Sequence, residues 1–394
     1  MGGHEEENIV ICGGGIIGAS IAYHLSLRGV KAAVYEQEHL GAAASGKAAG
    51  FMAGSWGDGG VTEQLHRVSF KMHEALASEL GIQSYRKIPT LSVAGGARSS
   101  GTKPPAQMWG WLDGEVSKAA LMDRWTAQVT PKEVTDKLME RAVANGAVLK
   151  IGKVEGVELE ELVEGVDRKV KCVIVDGKQV PCTKVVIAMG PWSCMAEEWF
   201  DNPIPMEGVK STSVIFKSGG SALLEKAPAA LFCSEDEHGC HLEVYPRPDG
   251  DIYVCGLGGS DYLDNDRIKK TAPKDVDPNM ERVKAAQSSF SALSSLGQGH
   301  EVHAQACMRP CAPDALPILG QIDKCSNAYI AAGHNCWGIL WAPVTGLAMT
   351  ELMLDGEAQC VCLKAFSPSR FKKETRKRRE RGRHNTSNPV GEQW

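Results

Sequence analysis

The chain has 394 residues, too many for one simple core and suited to two interlocked domains, with 43% hydrophobic and 23% charged residues, an ordinary globular balance. Its formal charge of -5 is uneven: Pro368 to Trp394 carries nine Lys/Arg against three Glu, a surplus of six, so the remainder stands at -11, which excludes a nucleic-acid groove in the core. No unbroken apolar run reaches the ~18 residues of a membrane span, the acidic start lacks the basic-then-apolar order of a leader, and the thirteen scattered cysteines show neither CxxC nor zinc spacing; they read as reduced, mostly buried thiols of an intracellular, cytoplasmic protein with no metal site.

Asn8 to Cys12 reads as a short buried strand, and Ile17 to Leu27, with Ile17, Ile21 and Leu25 on one side, as a helix stopped by Gly29. Val30 to Glu36 is a second strand, which completes a strand–turn–helix–strand unit of dinucleotide-binding size. Leu65 to Leu80 reads as a helix, Tyr85 to Val93 as a strand and Ala94 to Pro105 as a loop. Thr130-Pro131-Lys132-Glu133 has the cap, first-turn proline and third-position Glu of a helix that runs to Asn145. Several strands follow from Ala147, the last leading through Val185-Val186-Ile187 to Gly190. From Pro205 to Gly258 the strands lengthen, and His241 to Val254 is a hairpin turning at Pro248-Asp249-Gly250-Asp251. Ser260 to Pro278 reads as a loop, Met280 to Leu296 as a helix, Tyr329 to Ala332 as a strand, and Pro343 to Leu354 as a last helix with Pro343 in its first turn. This order implies an α/β fold: a Rossmann-type nucleotide-binding domain from residues 1–84, 129–205 and 306–366. An inserted antiparallel-sheet α+β substrate domain takes 85–128 and 206–305, and a basic, flexible tail takes 367–394.

Gly13-Gly14-Gly15-Ile16-Ile17-Gly18 fits GxGxxG between that first strand and helix. Gly13 permits the turn, Gly15 lets backbone approach a pyrophosphate, Gly18 lets helix and strand pack, and the helix N-terminus offers N–H groups to the phosphates. Glu36 ends the second strand where a carboxylate accepts hydrogen bonds from a ribose, which favours a free 2′-hydroxyl, as in FAD or NAD, over NADP. A glycine-rich turn without a ligand has no need of that whole arrangement.

Four segments carry a resemblance: the glycine loop through Glu36, Ala44-Ser45-Gly46-Lys47-Ala48-Ala49-Gly50-Phe51, Val185 to Trp192, and the C-terminal pair Cys307 to Asp314 and Gly333 to Gly338. In their order and spacing the chain resembles the D-amino-acid oxidase superfamily of FAD enzymes, which includes glycine oxidase and monomeric sarcosine oxidase, over roughly residues 8–360. Within it, the chain is most similar to a group of fungal and plant FAD-dependent oxidoreductases. The resemblance implies that FAD contacts Gly13, Gly15, Ile16, Ile17, Gly18, Glu36 and Gln37, then a loop of Ser45, Gly46, Lys47, Ala49, Gly50 and Phe51 along pyrophosphate and ring. Gly190 and Trp192 would form a second contact, and Gly333, His334, Trp337, Gly338 and Ile339 the final flavin loop. The helix after that loop would aim its N-terminus at the flavin and stabilise the charge of its reduced form. Trp337 departs from some relatives.

Arg309 matches the family arginine that grips a substrate carboxylate, a task that suits a guanidinium fork; a structural ion pair is the plain alternative. Cys307 matches the cysteine that holds flavin covalently in sarcosine oxidases; an inert buried thiol is the alternative. Tyr245 matches an active-site tyrosine. Glu243, on the same strand face, meets a substrate ammonium or is an exposed strand carboxylate. His334 is a catalytic base or a hydrogen-bonding strut. The lysine that speeds reaction with oxygen in sarcosine oxidases has no counterpart in Ile252 to Gly256, which leaves oxidase and dehydrogenase both open.

The activity implied is oxidation of the C–N bond of a small amine or amino acid by hydride transfer to flavin N5, with O2 or another electron acceptor. A second class is an FAD-containing binding or scaffold protein whose basic run, Arg370 to Arg383, contacts an anionic membrane or a protein partner. The plain reading of that run is a solvated tail. An NAD-dependent dehydrogenase is a third class, opposed by the C-terminal flavin motifs.

Overall fold

The computed structural model describes residues 8–96, 109–160, 163 and 167–371. The first unit is β1 (Ile9–Cys12), α1 (Ile16–Leu27) and β2 (Ala33–Glu36). Next come α2 (Ala44–Lys47), β3 (Phe51–Ala53), α3 (Glu63–Leu80), β4 (Arg86–Gly95) and β5 (Val116–Gln128). Helix α4 (Pro131–Ala144) leads to β6 (Val148–Ile151), a small antiparallel sheet of β7 (Val154–Leu159), β8 (Val170–Val175) and β9 (Lys178–Pro181), and then β10 (Lys184–Ile187). After α5 (Ala196–Phe200) come β11 (Glu207–Phe216), α6 (Ala222–Lys226), β12 (Ala230–Cys233), β13 (Glu243–Pro246) and β14 (Ile252–Cys255). The chain finishes with β15 (Asp261–Leu263), α7 (Asn265–Lys270), α8 (Met280–Leu293), β16 (Val302–Cys311), β17 (Ile318–Gln321), β18 (Ala328–Ala332) and α9 (Gly338–Asp355).

Two large sheets result. In the first the order is β17-β18-β10-β1-β2-β6, parallel except for β17. Its central strands are apolar on both faces because helices cover one and the small sheet covers part of the other. In the second, β15-β11-β14-β13-β12-β4-β5-β3 are mostly antiparallel, with β16 along the other edge of β11. One face of this sheet (Leu91, Val214, Phe216, Leu231, Val244, Val254) is sealed by Val283 and Phe290 of α8, and the Phe216 and Phe290 rings sit 4.9 Å apart. The opposite face carries polar and aromatic side chains towards the first sheet. The second sheet thus takes in β3 and all of β16, whose residues 306–311 were expected in the nucleotide domain and 302–305 in the substrate domain: β16 pairs with β11 along ten residues, straight across the sequence boundary at 305/306.

Other local expectations are corrected. Thr130 makes no side-chain cap on α4; the Glu133 carboxylate instead accepts the N–H groups of Gln83 and Ser84 at 2.7 and 2.9 Å, which fixes the chain entering β4. The Ser260–Pro278 stretch holds β15 and α7, the latter capped by Asp264. Ala94 and Gly95 extend β4, while the rest of the expected loop from residue 97 on lies outside the described residues. The tail begins later than expected: Phe371 is buried and Arg370 bonds Asp314 at 2.7 Å, and residues 372–394 lie outside the described residues.

Helix α9 starts five residues before Pro343, so the proline sits inside it. The ring removes the N–H that would reach the Ile339 carbonyl. His73 of α3 fills the gap: its Nε2 lies 2.9 Å from the Ile339 oxygen and 3.1 Å from that of Leu340, so this nitrogen carries the proton. The Val344 N–H donates to Ser69 Oγ. Asn335–Asp355 is apolar and long enough to cross a membrane, but 67% of its most apolar window is buried against the rest of the fold, as in a core helix. Burial holds the His73 pKa down to about 4, so the ring stays neutral in the fold and is protonated more readily when unfolded. Stability therefore falls as pH drops from ~6.5 to about 4. His73→Leu should cost about 2–3 kcal/mol at neutral pH, by leaving two buried carbonyls without donors, and make that acid limb shallower; denaturant melts at several pH values measure both.

Candidate functional site

The site lies at the carboxyl ends of β1, β2 and β10, where strand order reverses between β1 and β10. A cavity of about 680 Å³ starts there and reaches the polar face of the second sheet. At one end Gly13 turns off β1 with φ +109°; a Cβ on it would lie 2.4 Å from the Ala188 carbonyl oxygen. Glu36 closes this end: its carboxylate accepts the N–H groups of Gly14 (2.8 Å) and Glu38 (3.0 Å) and lines the cavity beside Gln37, Gly152 and Lys153. Ser45 Oγ accepts the Ile16 N–H at 2.9 Å, which ties α2 to the start of α1.

The other end is built by strand alternation. On β16, Gln305, Cys307 and Arg309 share one face, while Ala306 and Met308 enter the core behind. Register places Cys307 opposite Ser211, and Gln305 opposite Ser213. Across the sheet, Glu243 pairs with Cys255 and Tyr245 with Tyr253, so all four face the same way. Arg309 Nη2 donates to Ser211 Oγ at 3.3 Å, and the guanidinium also bonds the Cys336 thiol. The Tyr245 hydroxyl donates to Glu243. Burial pushes the Glu243 carboxyl pKa up, with Tyr245 and the Arg309 charge acting against it. Phe51, Phe232 and Trp337 complete the wall; Phe51 lies 5.3 Å from Phe232 and 5.5 Å from Tyr245.

Most residues singled out in the sequence line this one cavity: Gly13, Gly15, Ile16, Ile17, Glu36, Gln37, Ser45, Ala49, Gly50, Phe51, Gly190, Trp192, Tyr245, Cys307, Arg309, His334, Trp337, Gly338 and Ile339. Four do not. Gly18 packs on the Gly13 carbonyl, Gly46 on that of Gly41, and Gly333 on Ile318, while Lys47 contributes its carbonyl, which accepts from Gln305 Nε2 (2.8 Å) and Tyr253 Oη (3.1 Å). That carbonyl locks the glycine-rich loop to the second sheet. His334 is buried, its Nε2 3.1 Å from Thr345 Oγ1, and burial lowers its pKa to about 3; this geometry makes it a strut and a weak base. Glu243 is only 7% exposed, which removes the exposed-carboxylate alternative. Burial raises the Cys307 pKa, against the charges of Arg309 and Lys47, and so disfavours a thiolate. Sequence reasoning did not name Gly152, Lys153, Ser211, Phe232, Asn335 and Cys336: strand register places Ser211 and Phe232, Gly152 and Lys153 sit in the turn after β6, and Asn335 and Cys336 lie within the Gly333 to Gly338 loop.

These residues fit FAD. A Cβ on Gly190 (φ +56°) would meet no atom within 4 Å, so backbone is bare to the cavity there. The buried Oδ1 of Asn335, in the loop before α9, has no hydrogen-bond partner among the described residues and lines the same space. Gly13, Ser45 and Glu36 would hold the pyrophosphate and ribose, and the loop before α9 the flavin ring.

Comparison with known proteins decides the family: residues 8–352 match the profile described as DAO, FAD dependent oxidoreductase. The chain belongs to the DAO family. Relatives of this DAO-family chain include TDA3 of Saccharomyces cerevisiae, 30% identical over 278 residues, which are 62% of this chain and 51% of that protein. The chain thus aligns with about half of TDA3. C1F5.03c of Schizosaccharomyces pombe is 26% identical, covering 92% of this chain and 97% of that one. Among solved structures, glycine oxidase from Geobacillus kaustophilus superposes with a TM-score of 0.74 at 20% identity, covering 93% of this chain and 99% of the other, which establishes a shared fold.

Proposed function

We propose that this DAO-family chain oxidises the C–N bond of a small amino acid or amine to an imine. The observation that carries the reading is Arg309: a half-buried guanidinium on β16 that lines the same cavity as Glu36, Tyr245 and Trp337. Arginine is always charged and its fork matches a carboxylate, so it would grip that group and aim the α-carbon at the ring site. Orientation of this kind supplies much of an enzymatic rate. Bound FAD supplies the two-electron acceptor that the side chains lack. Phe51, Phe232 and Trp337 exclude water around the reacting carbon and limit the size of its side chain. The α9 N-terminus, at Gly338, provides positive potential where charge develops. Cys307 keeps its proton in this reading, and the cofactor is held without a covalent bond. The kinship in fold with glycine oxidase supports an amino-acid substrate.

The test is the visible flavin spectrum of the FAD-loaded protein under anaerobic conditions as glycine, D- and L-alanine, L-proline and secondary amines are added in turn. Bleaching by one class is expected, and readmitted air then shows whether O2 restores the colour. A spectrum unmoved by every compound would overturn the reading.

A further inference from the structure

Glu243 is buried in the cavity wall, and among the described residues its carboxylate accepts from neutral donors alone: the Tyr245 hydroxyl and, at 3.6 Å, the Cys255 thiol. Buried carboxylates are ordinarily paired with a cation or exchanged for apolar residues, because desolvating the charge is costly. This one lines the same cavity as Arg309 and faces the same way, so the site presents a fixed cation and a carboxylate to one small molecule. That is the complement of a zwitterion. An amino acid enters as its ammonium form at neutral pH, whereas loss of the α-hydrogen with its electron pair requires a lone pair on nitrogen.

We propose that Glu243 receives the substrate's ammonium group and takes its proton. The proposal rests on the amino-acid reading above. One N–H bond breaks, the proton passes to a carboxylate oxygen of Glu243, and the electron pair remains on nitrogen. Bound FAD would accept the α-hydrogen with its bonding pair, and the lone pair left on nitrogen would become the second bond of C=N, so the two electrons lost by the substrate would have an acceptor. The proton returns to water once the product has left. Tyr245 acts as a positioning residue, since its hydroxyl bond sets which way the carboxylate points.

Several groups besides Tyr245 bear on the carboxylate: Cys255 from β14, Cys233 from β12, His241 at the start of the hairpin, Arg309 from β16 and Cys336 from the loop before α9. The thiols stay neutral, because burial raises the pKa of each. Burial raises that of Glu243 as well, which brings it towards the range where a carboxylate both accepts and releases a proton near neutrality.

The test is the rate of anaerobic flavin reduction in the FAD-loaded protein against pH, using whichever of glycine, D- or L-alanine and L-proline reduces the wild type fastest. Glu243→Gln keeps the shape and the Tyr245 bond but cannot take a proton. It should be slowed about 100-fold or more at pH 7 and recover about tenfold per pH unit, as free amine is supplied by the solution. Glu243→Asp should keep the wild-type profile at a lower rate. Flavin absorbance checks that each variant is folded and loaded. Two variants equally slow with unchanged profiles would mean a structural role and overturn the proposal, as would a Glu243→Gln protein as fast as wild type at pH 7. If no amino acid reduces even the wild type, the amino-acid reading itself falls and this one with it.

Discussion

Replacing Arg309 with alanine should raise KM for a carboxylated substrate about 100-fold or more, the equivalent of losing roughly 3 kcal/mol from a buried bidentate charge pair. The prediction follows from position: Arg309 projects from near the end of β16, opposite Val209 of β11 and with its Nη2 on Ser211, into the cavity. Arg309→Lys keeps the charge and loses the fork, so it should recover only part of the affinity. An amine of similar size without a carboxylate should be nearly indifferent to either change. Steady-state kinetics on matched substrates measure all of this, and unchanged constants for the carboxylated one would leave Arg309 a structural cation.

Gly18→Ala should yield protein without bound FAD. A Cβ at Gly18 would stand 2.0 Å from the Gly13 carbonyl oxygen and 3.3 Å from Ile11. The first neighbour is backbone at the turn that cradles the pyrophosphate, so no rotamer change relieves the clash; β1 and α1 must separate. Gly29 is an instructive comparison. It has positive φ, +76°, which Gly18 does not, but a Cβ there meets nothing within 4 Å. Gly29→Ala should therefore cost only the backbone strain, about 1–2 kcal/mol, and keep its flavin. The ratio of flavin to protein absorbance in the two purified variants, read beside their Tm values, separates a ligand-site effect from a stability effect.

What was legible in the sequence was whatever a single segment specifies alone. The glycine loop and Glu36 belong to one βαβ unit, so spacing located that end of the site. Strand β16 was hidden because its inward positions are Gln305, Cys307 and Arg309 and the positions between them are Ala304, Ala306 and Met308, a weak apolar alternation for a strand packed on both faces. The α9 start was misplaced because the first-turn preference of proline holds only where no neighbour replaces the lost hydrogen bond, and Ser69 and His73 do replace it. Glu243 was legible as a residue facing Tyr245's way, but its burial arises from docking the second sheet on the first, which no local pattern encodes. Lys47 was expected to touch the cofactor through being in the right loop; its carbonyl is taken by Gln305 and Tyr253, residues more than 200 positions away.

Helix α1 has ten of its twelve residues buried, and much of its cover is α9, near the other end of the chain. On a ribosome, α1 emerges early and waits for roughly 300 further residues before that cover exists. Through that interval β1 gains β2 and then β10, and α1 gains α4, but the apolar face of α1 that α9 covers stays open. The first domain therefore completes its core only after synthesis has passed Asp355, and a chain terminated before that point keeps an open apolar face that makes it a substrate for chaperones and proteases.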